Sequence, residues 1–483
     1  MSGSFLIGVD VGTTSVKAAL FDADGGARRT YASAYPTARP AADRAEQDPA
    51  DWMKRVAAAL ADLVAAAPQG GITGLGLCSQ VNTHVFIDAN GRALLPAILW
   101  QDGRCARDAH ELDKKVATED RLKWWGAPLP IDASHVLSRM AFVQRVHPDI
   151  WEKTRWVMAP KDYCLFQLTG EAAADPMASF GIVDQNLAYI PDLLALIPGA
   201  EGRLPPLRGV AATIGRVRGG LPGGGLPVVN CTMDAWAGMI GAGAAEEGAA
   251  AYLSGTSEVG GIVSSRRIPT PGVIAFPSCE GITLHAGPTQ AGGASIAWLA
   301  AMLGRSADEV SALAAQSDPA RATPIFLPHL QGERAPLWDI AARASFSGLD
   351  ASMGAPEMAR AVLEGVAYSV RLLLGALEAS SGVKTGTLLH AGGGARSDLW
   401  CQIRADALDR AIERKSDLDS GVVGAAIFAG IGAGLYASLR DGARRLARTD
   451  RIFEPVAAQR RRYDDGFARY QDLYRRLKGF SAA

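Results

Sequence analysis

Apolar and polar positions alternate from Phe5 to Asp10, pass through the small polar run Val11-Gly-Thr-Thr14, and resume from Ser15 to Phe21 before the polar tip Asp22-Ala-Asp-Gly-Gly26. A period of two predicts strands, and the Gly- and Thr-rich run between them predicts a β-hairpin. The plan returns much later, where Ala250–Ser254 and Glu258–Val263 flank Gly255-Thr-Ser257. A second unit, an apolar strand with a polar turn and a helix, also occurs twice. Pro227-Val-Val-Asn230 leads to Asp234 and a run of small residues, and Leu388-Leu-His-Ala391 leads through Gly392-Gly-Gly394 to Asp398. Helical spacing marks the residues after Asp51, Met358–Leu374 and Leu399–Leu408, whereas the Pro- and Gly-rich stretch Leu204–Pro227 reads as an exposed connection. The pattern predicts an α/β protein of two similar halves meeting near Ala244–Gly248, divided as 1–245, 246–450 and a helical tail over 451–483.

Length agrees, since 483 residues exceed what one hydrophobic core usually holds. A net charge of −1, with both signs interspersed, lacks the basic surface of a nucleic-acid binder. The cluster Arg460, Arg461 and Arg462, among Asp464 and Asp465, reads as a solvated helix face. Cys78, Cys105, Cys164, Cys231, Cys279 and Cys401 are scattered singly, without the close spacing of a zinc or redox motif, and are expected to be buried thiols in a reducing compartment. The N-terminus has neither a basic leader nor a cleavage site, so a cytoplasmic location is expected. Ser420–Leu439 is uncharged and long enough on paper to cross a bilayer, but its five glycines predict a buried, tightly packed helix and no membrane association.

No GxxxxGK[ST] loop is present, so phosphate must be held some other way if it is held at all. The two hairpin turns offer one, because turns of small residues expose backbone N–H groups and hydroxyls to phosphate oxygens. Gly12, Thr13, Thr14 and Ser15 would serve from one side, Gly255 and Thr256 from the other, with Lys17 to neutralise charge. Asp10, just before the first turn, is suited to holding Mg²⁺ through water. Gly392-Gly-Gly394 is either a close approach to a nucleotide or simply a tight strand-to-helix turn. Asp234 is either an N-cap or, at a strand end in an α/β fold, a carboxylate able to take a proton from an acceptor hydroxyl. Gln80-Val-Asn82 and Trp100-Gln-Asp-Gly-Arg104 are equipped to bind hydroxyls or to form a structural network. His84 and His135 are isolated and read as structural.

The chain resembles the FGGY carbohydrate kinases, especially their xylulokinase and glycerol kinase branches. The resemblance is carried in order by Gly8-Val-Asp-Val-Gly-Thr-Thr-Ser15, Glu46-Gln-Asp-Pro49 with Trp52, Pro96–Arg104, Pro160-Lys-Asp-Tyr163 and Asp234 with Gly238. It continues through Leu253-Ser-Gly-Thr-Ser257, Phe326–Pro336, Ala361-Val-Leu-Glu-Gly365 and His390–Ser397. It implies two actin-like, ribonuclease H-like domains hinged around a central cleft, and an ATP- and Mg²⁺-dependent kinase acting on a small sugar or polyol. By position, Asp234 matches the family's catalytic base and a metal ligand together with Asp10. Thr13, Thr14, Ser15 and Lys17 match the first phosphate segment, and Gly255 and Thr256 the second. Gly293, Gly393, Gly394 and Asp398 match the nucleotide region, and Gln80, Val81, Asn82, Trp100, Asp102 and Asp234 the acceptor side.

Gln80-Val-Asn82 departs from the Gln-Met-His of xylulokinases and the Gln-Arg-Glu of glycerol kinases. Trp100–Arg104 and Leu330–Pro336 resemble the xylulokinase version, which points to a ketopentose such as xylulose, with glycerol, erythritol or a pentitol as the alternative. Two other readings stand beside this one. An actin-like ATPase would leave the acceptor motifs without a purpose, and a degenerate kinase that only binds ligand sits poorly with intact Asp10, Asp234 and Thr256. Homodimers are common in the family, though no interface is legible in this sequence.

Overall fold

The computed structural model describes residues 3–68, 71–318, 323–417 and 419–480. It comprises two compact units, Met1–Gly241 with Phe276–Gly281 and Ser420–Ala447, and Ala242–Ala275 with Ile282–Asp419 and Arg448–Ala483.

The first unit is built on strands β1 (Phe5–Val11), β2 (Ser15–Asp22), β3 (Ala27–Ala34), β4 (Ile72–Ser79), β5 (Thr213–Arg216) and β6 (Pro227–Val229), in the order β3-β2-β1-β4-β6-β5. β1 pairs antiparallel with β2 and parallel with β4, and β4 pairs parallel with β6. The second unit repeats the plan with β7 (Ala250–Ser254), β8 (Glu258–Val263), β9 (Ile274–Ala275), β10 (Leu284–Pro288), β11 (Thr387–Ala391), β12 (Ala411–Lys415) and β13 (Thr449–Phe453), ordered β9-β10-β8-β7-β11-β12-β13. Here β7 runs antiparallel to β8 and parallel to β11. Both sheets follow the ribonuclease H-like arrangement, so the repeated hairpins β1–β2 and β7–β8 are corresponding strand pairs of a duplicated fold.

Alternation along β1 divides its side chains between two faces. Ile7, Val9 and Val11 join the core formed with Trp52, Val56, Leu60 and Leu63 of helix α1 (Pro49–Ala66) and with Tyr163, Leu165 and Leu168 of α2 (Pro160–Thr169). The other face carries Leu6, Gly8 and Asp10 and receives the glycine-rich helix Ser420–Gly432 at backbone contact. A Cβ at Gly8 would lie 2.0 Å from the carbonyl oxygen of Val422, and one at Gly76 of β4 2.2 Å from that of Ala425. The same helix crosses α3 (Asp234–Gly241), where a Cβ at Gly424 would lie 1.9 Å from the Ala237 carbonyl. Glycine is required at these crossings because no side chain fits between the backbones. Among the described residues no helix is long and apolar enough to cross a membrane.

The structure departs from the expected organisation in three places. Ser420–Ala447 belongs to the first unit, because the glycine-rich helix fits the sheet face carrying Gly8, Gly74 and Gly76. The stretch after position 450 is no appended tail, since Phe453 of β13 and Tyr463 and Tyr470 of the helix Arg460–Leu477 are buried in the second unit. Leu204–Pro227, expected as an exposed connection, contains the edge strand β5, paired antiparallel with β6. Of the arginine cluster, Arg461 is solvated, but Arg462 reaches the buried Glu364 at 2.7 Å. All six cysteines are buried and free, as expected.

Candidate active site

Asp10 lies near the end of β1, on the face turned to the glycine-rich helix, where a Cβ at Gly421 would stand 3.0 Å from its Oδ2. Asp234 opens α3, directly after Met233, which bridges in parallel to Ser79 at the end of β4. Neighbouring strand ends in one sheet therefore bring together two carboxylates 224 positions apart in sequence. Burial, then the charge of Asp10, push the Asp234 carboxyl from 3.8 up to about 7, against the opposing Ala235 N–H, which donates to Asp234 Oδ1 at 2.7 Å. The carboxylate able to take a proton is thus also the acceptor of the Ala235 N–H in the first turn of the helix. Cys78 lies against the pair, its Sγ 3.4 Å from the Gly421 carbonyl, and burial and the two carboxylates hold it as a neutral thiol.

The first turn is closed by Gly12 N–H donating to the Ser15 carbonyl at 3.1 Å. Its carbonyls point back into the protein. Tyr35 Oη donates to the Gly12 carbonyl, Gln47 Nε2 to that of Thr13 at 2.7 Å, and Tyr35 N–H to that of Thr14 at 3.2 Å. Trp100 Nε1 donates to Thr13 Oγ1 at 3.1 Å. A turn whose acceptors are tied down in this way favours an anion over a cation. Thr14 is exposed, and Lys17 sits directly across the strand pair from Asp10, on the same face.

On the acceptor side, Gln80 is buried, donating to Gln47 Oε1 at 3.1 Å and accepting from Thr83 Oγ1 at 3.2 Å. Asn82, with its neighbour Val81 half-buried, has a left-handed backbone (φ 54°) and donates to Ser134 Oγ at 3.2 Å. Its side chain lines a small cavity with His84, His135, Asp162, Ser179 and Tyr189. Burial holds both imidazoles below the ordinary histidine range, hence neutral. Asp102 departs from a hydroxyl-binding role: its oxygens are taken up by the Ala45 and Arg104 N–H groups, the Arg104 guanidinium and the buried Arg139. Of the two possibilities for that segment, Asp102 takes the structural one, bracing the loop that carries Trp100.

In the second unit the Gly255–Thr256 turn is exposed and closed by Gly255 N–H donating to Ser257 O at 3.0 Å. Gly293, at the start of the helix Gly293–Leu303, donates to the Gly255 carbonyl at 2.9 Å, and Ala294 N–H to that of Thr256 at 3.0 Å. The Gly392–Gly394 turn lies against the same hairpin, since a Cβ at Gly394 would stand 2.0 Å from Ser254 Oγ. Buried Arg404 ties these pieces together, donating to Ser254 Oγ at 2.8 Å and to the Gly394 carbonyl at 3.1 Å, and pairing with Glu258 at 3.1 Å. Gly255, Thr256, Gly293, Gly393 and Gly394 are thus assembled in one place. Asp398 is exposed there, and its oxygens pair with Arg414 and Arg451, both at 2.6 Å.

Sequence reasoning gave no role to Tyr35 or Arg404, and met Gln47 only as part of the motif Glu46-Gln-Asp-Pro49. Gln47 had a signal in its spacing to Trp52, whose Nε1 it accepts at 3.0 Å. Tyr35 and Arg404 had none, because their roles exist only once distant strands are side by side. Among the described residues no cluster of three potential metal-binding side chains occurs.

Residues 5–241 match the N-terminal domain and residues 250–433 the C-terminal domain of the FGGY family of carbohydrate kinases. The chain is 31% identical to the xylulose kinase of Escherichia coli K12 over 90% of this chain and 91% of the relative. It is 29% identical to a glycerol kinase of Aromatoleum aromaticum over 99% of this chain and 100% of the relative. Among solved structures, one described as a xyloylose kinase from Brucella ovis superposes with a TM-score of 0.86 at 30% identity, covering 99% of this chain and 100% of that one.

Proposed function

The chain belongs to the FGGY family of carbohydrate kinases, an ATP-dependent sugar phosphotransferase by membership, and we propose that its acceptor is a ketopentose such as D-xylulose, with Asp234 as the general base. The observation that carries this reading is the pairing of Asp234 with Asp10. A carboxyl pushed up to about 7 is more basic than an ordinary carboxylate and so better suited to take a hydroxyl proton near neutral pH. In the reaction the acceptor oxygen gives its proton to Asp234 and forms a bond to the γ-phosphorus, while the bond from that phosphorus to the β–γ bridging oxygen breaks and ADP leaves.

Two carboxylates, without a third protein ligand among the described residues, suit a hard cation that keeps part of its water shell. Asp10 and Asp234 would hold Mg²⁺, which when bound neutralises phosphate charge. We assign Thr13, Thr14, Ser15 and Lys17 to phosphate, and Gly255, Thr256, Gly293, Gly393, Gly394 and Asp398 to the nucleotide. Val81, Asn82 and Trp100 are assigned to the acceptor, with Gln80 bracing them. The neutral imidazoles and Asp162 around the Asn82 cavity suit an uncharged polyhydroxy compound better than a sugar acid. The xylulose kinase relatives support a ketopentose. The full-length match to a glycerol kinase keeps a polyol as the second reading.

The test is ADP formation with Mg·ATP and a panel of ketopentoses, tetritols, pentitols and glycerol. One strongly preferred ketopentose, silenced by Asp234→Asn, is the expected result. Preference for a polyol would move the assignment to the second reading, and full activity of Asp234→Asn would remove Asp234 as the base.

A further inference from the structure

Lys161, at the start of α2, has no exposed surface. Its Nζ lies 2.6 Å from Asp162 Oδ1, 2.8 Å from Asp175 Oδ2 and 3.2 Å from Asn230 Oδ1, and its backbone N–H donates to Ser79 Oγ at 3.1 Å. Burial alone would drive the ammonium toward neutrality, but the two carboxylates outweigh it and hold Lys161 above the ordinary lysine range. Such a cluster is a poor way to gain stability, because well-packed apolar side chains of similar volume do as well or better. Its contacts point to another use.

Every contact from this cluster toward the sheet ends on the four residues leading into Asp234, or on the strand end beside them. Asp175 Oδ1 accepts the Thr232 hydroxyl at 2.8 Å, together with the Met177 and Ala178 N–H groups, each at 2.9 Å. Asn230, held by Lys161 through Oδ1, donates from Nδ2 to the carbonyls of Ala174 at 3.2 Å and Arg208 at 3.1 Å. Ser79, which holds the Lys161 N–H, bridges to Met233. Between these anchors Cys231 has a left-handed backbone (φ 57°). A non-glycine residue persists there only where its surroundings fix it. On its other side the cluster reaches the acceptor cavity, which Asp162, Ala174, Ala178 and Ser179 line.

We propose that the Lys161–Asp175 pair is a positioning device, acting through Thr232 and Asn230, that sets the Asp234 carboxylate relative to the acceptor cavity. The proposal rests on Asp234 being the base. Thr232 is the member that can be altered with least disturbance, because valine has its shape and lacks only the hydroxyl. Misplacing a reacting group by a fraction of an ångström costs rate far more than it costs affinity for a substrate bound elsewhere.

The experiment compares Thr232→Val, Thr232→Ala and Thr232→Ser with the parent and with Asp234→Asn, giving kcat, KM for ATP and Tm, with kcat expressed per ATP-binding molecule so that unfolded protein does not count. Expected is a fall in kcat of roughly tenfold or more for Thr232→Val and Thr232→Ala, with KM for ATP unchanged and with most of the rate recovered in Thr232→Ser. Parental kcat with a lowered Tm in Thr232→Val and Thr232→Ala would make the cluster merely structural and overturn the proposal. So would a serine variant as slow as the valine one. If Asp234→Asn itself keeps its rate, the base assignment is what has failed.

Discussion

Replacing Asp234 by asparagine keeps the shape and removes the charge, so its effect on stability measures how the ionised carboxylate is tolerated. The folded-state value of about 7 lies above the ordinary 3.8, so the folded protein binds this proton more tightly than the unfolded chain. Stability is therefore full below the unfolded value and is lost as pH rises toward the folded one. Integrated between the two values, ionisation costs roughly 2–3 kcal/mol more at pH 8 than at pH 5. For a unit of this size that corresponds to ~4 °C in Tm. Calorimetry of parent and Asp234→Asn from pH 5 to pH 8 should show the variant gaining on the parent by that amount, and added magnesium nucleotide should shrink the gap by favouring the charged form. A parent-to-variant gap that stays flat with pH would refute the reasoning, because Asp234 would then titrate alike in folded and unfolded chains.

The remaining predictions concern rate, the glycine crossing and the buried ion pair. Because a base works ionised, kcat/KM for the acceptor should rise with pH to a plateau, with its inflection above the ordinary 3.8 and, since bound magnesium nucleotide favours the charged form, below about 7; a rate that falls as pH rises from about 4 to about 7 would contradict the assignment. Gly424→Ala pushes a Cβ to 1.9 Å from the Ala237 carbonyl and should lower stability by ~3 kcal/mol or more while displacing the helix that begins at Asp234, read as a Tm loss together with lost activity. Arg404→Leu leaves Glu258 buried without its cation, with only the Ser254 hydroxyl as partner, and should cost ~3 kcal/mol, with weakened ATP binding seen by calorimetric titration, because Ser254 and Gly394 lose their common partner.

The hairpins were legible because strand periodicity and turn composition are local, and the repeat made each copy evidence for the other. Helices α1 and Asp398–Leu408 were legible for the same reason. The place of Ser420–Gly432 was not, since a run of small apolar residues shows that a helix is closely packed without showing on what. Its partner face is written in Gly8, Gly74 and Gly76, hundreds of residues away. The edge strand Thr213–Arg216 was hidden because its pairing with β6 outweighs the turn-forming composition around it. Asp234 could be read locally only as a cap or a base, because what raises its pKa is burial and the charge of Asp10 across the sheet. Asp102 shows what residue type alone does not: it suits a hydroxyl ligand, while the Arg104, Arg139 and Ala45 N–H groups that its oxygens accept are visible only in the folded chain. The Lys161 cluster stood in plain view in Pro160-Lys-Asp-Tyr163, yet nothing local says that its lysine faces inward.

The central claim is phosphoryl transfer to a sugar hydroxyl, and the most direct measurement is ³¹P NMR of the products formed from Mg·ATP and D-xylulose. The account predicts a new phosphomonoester resonance growing in equal amount with ADP, and neither signal in Asp234→Asn. ADP accompanied by inorganic phosphate, at a rate indifferent to the sugar, would contradict it.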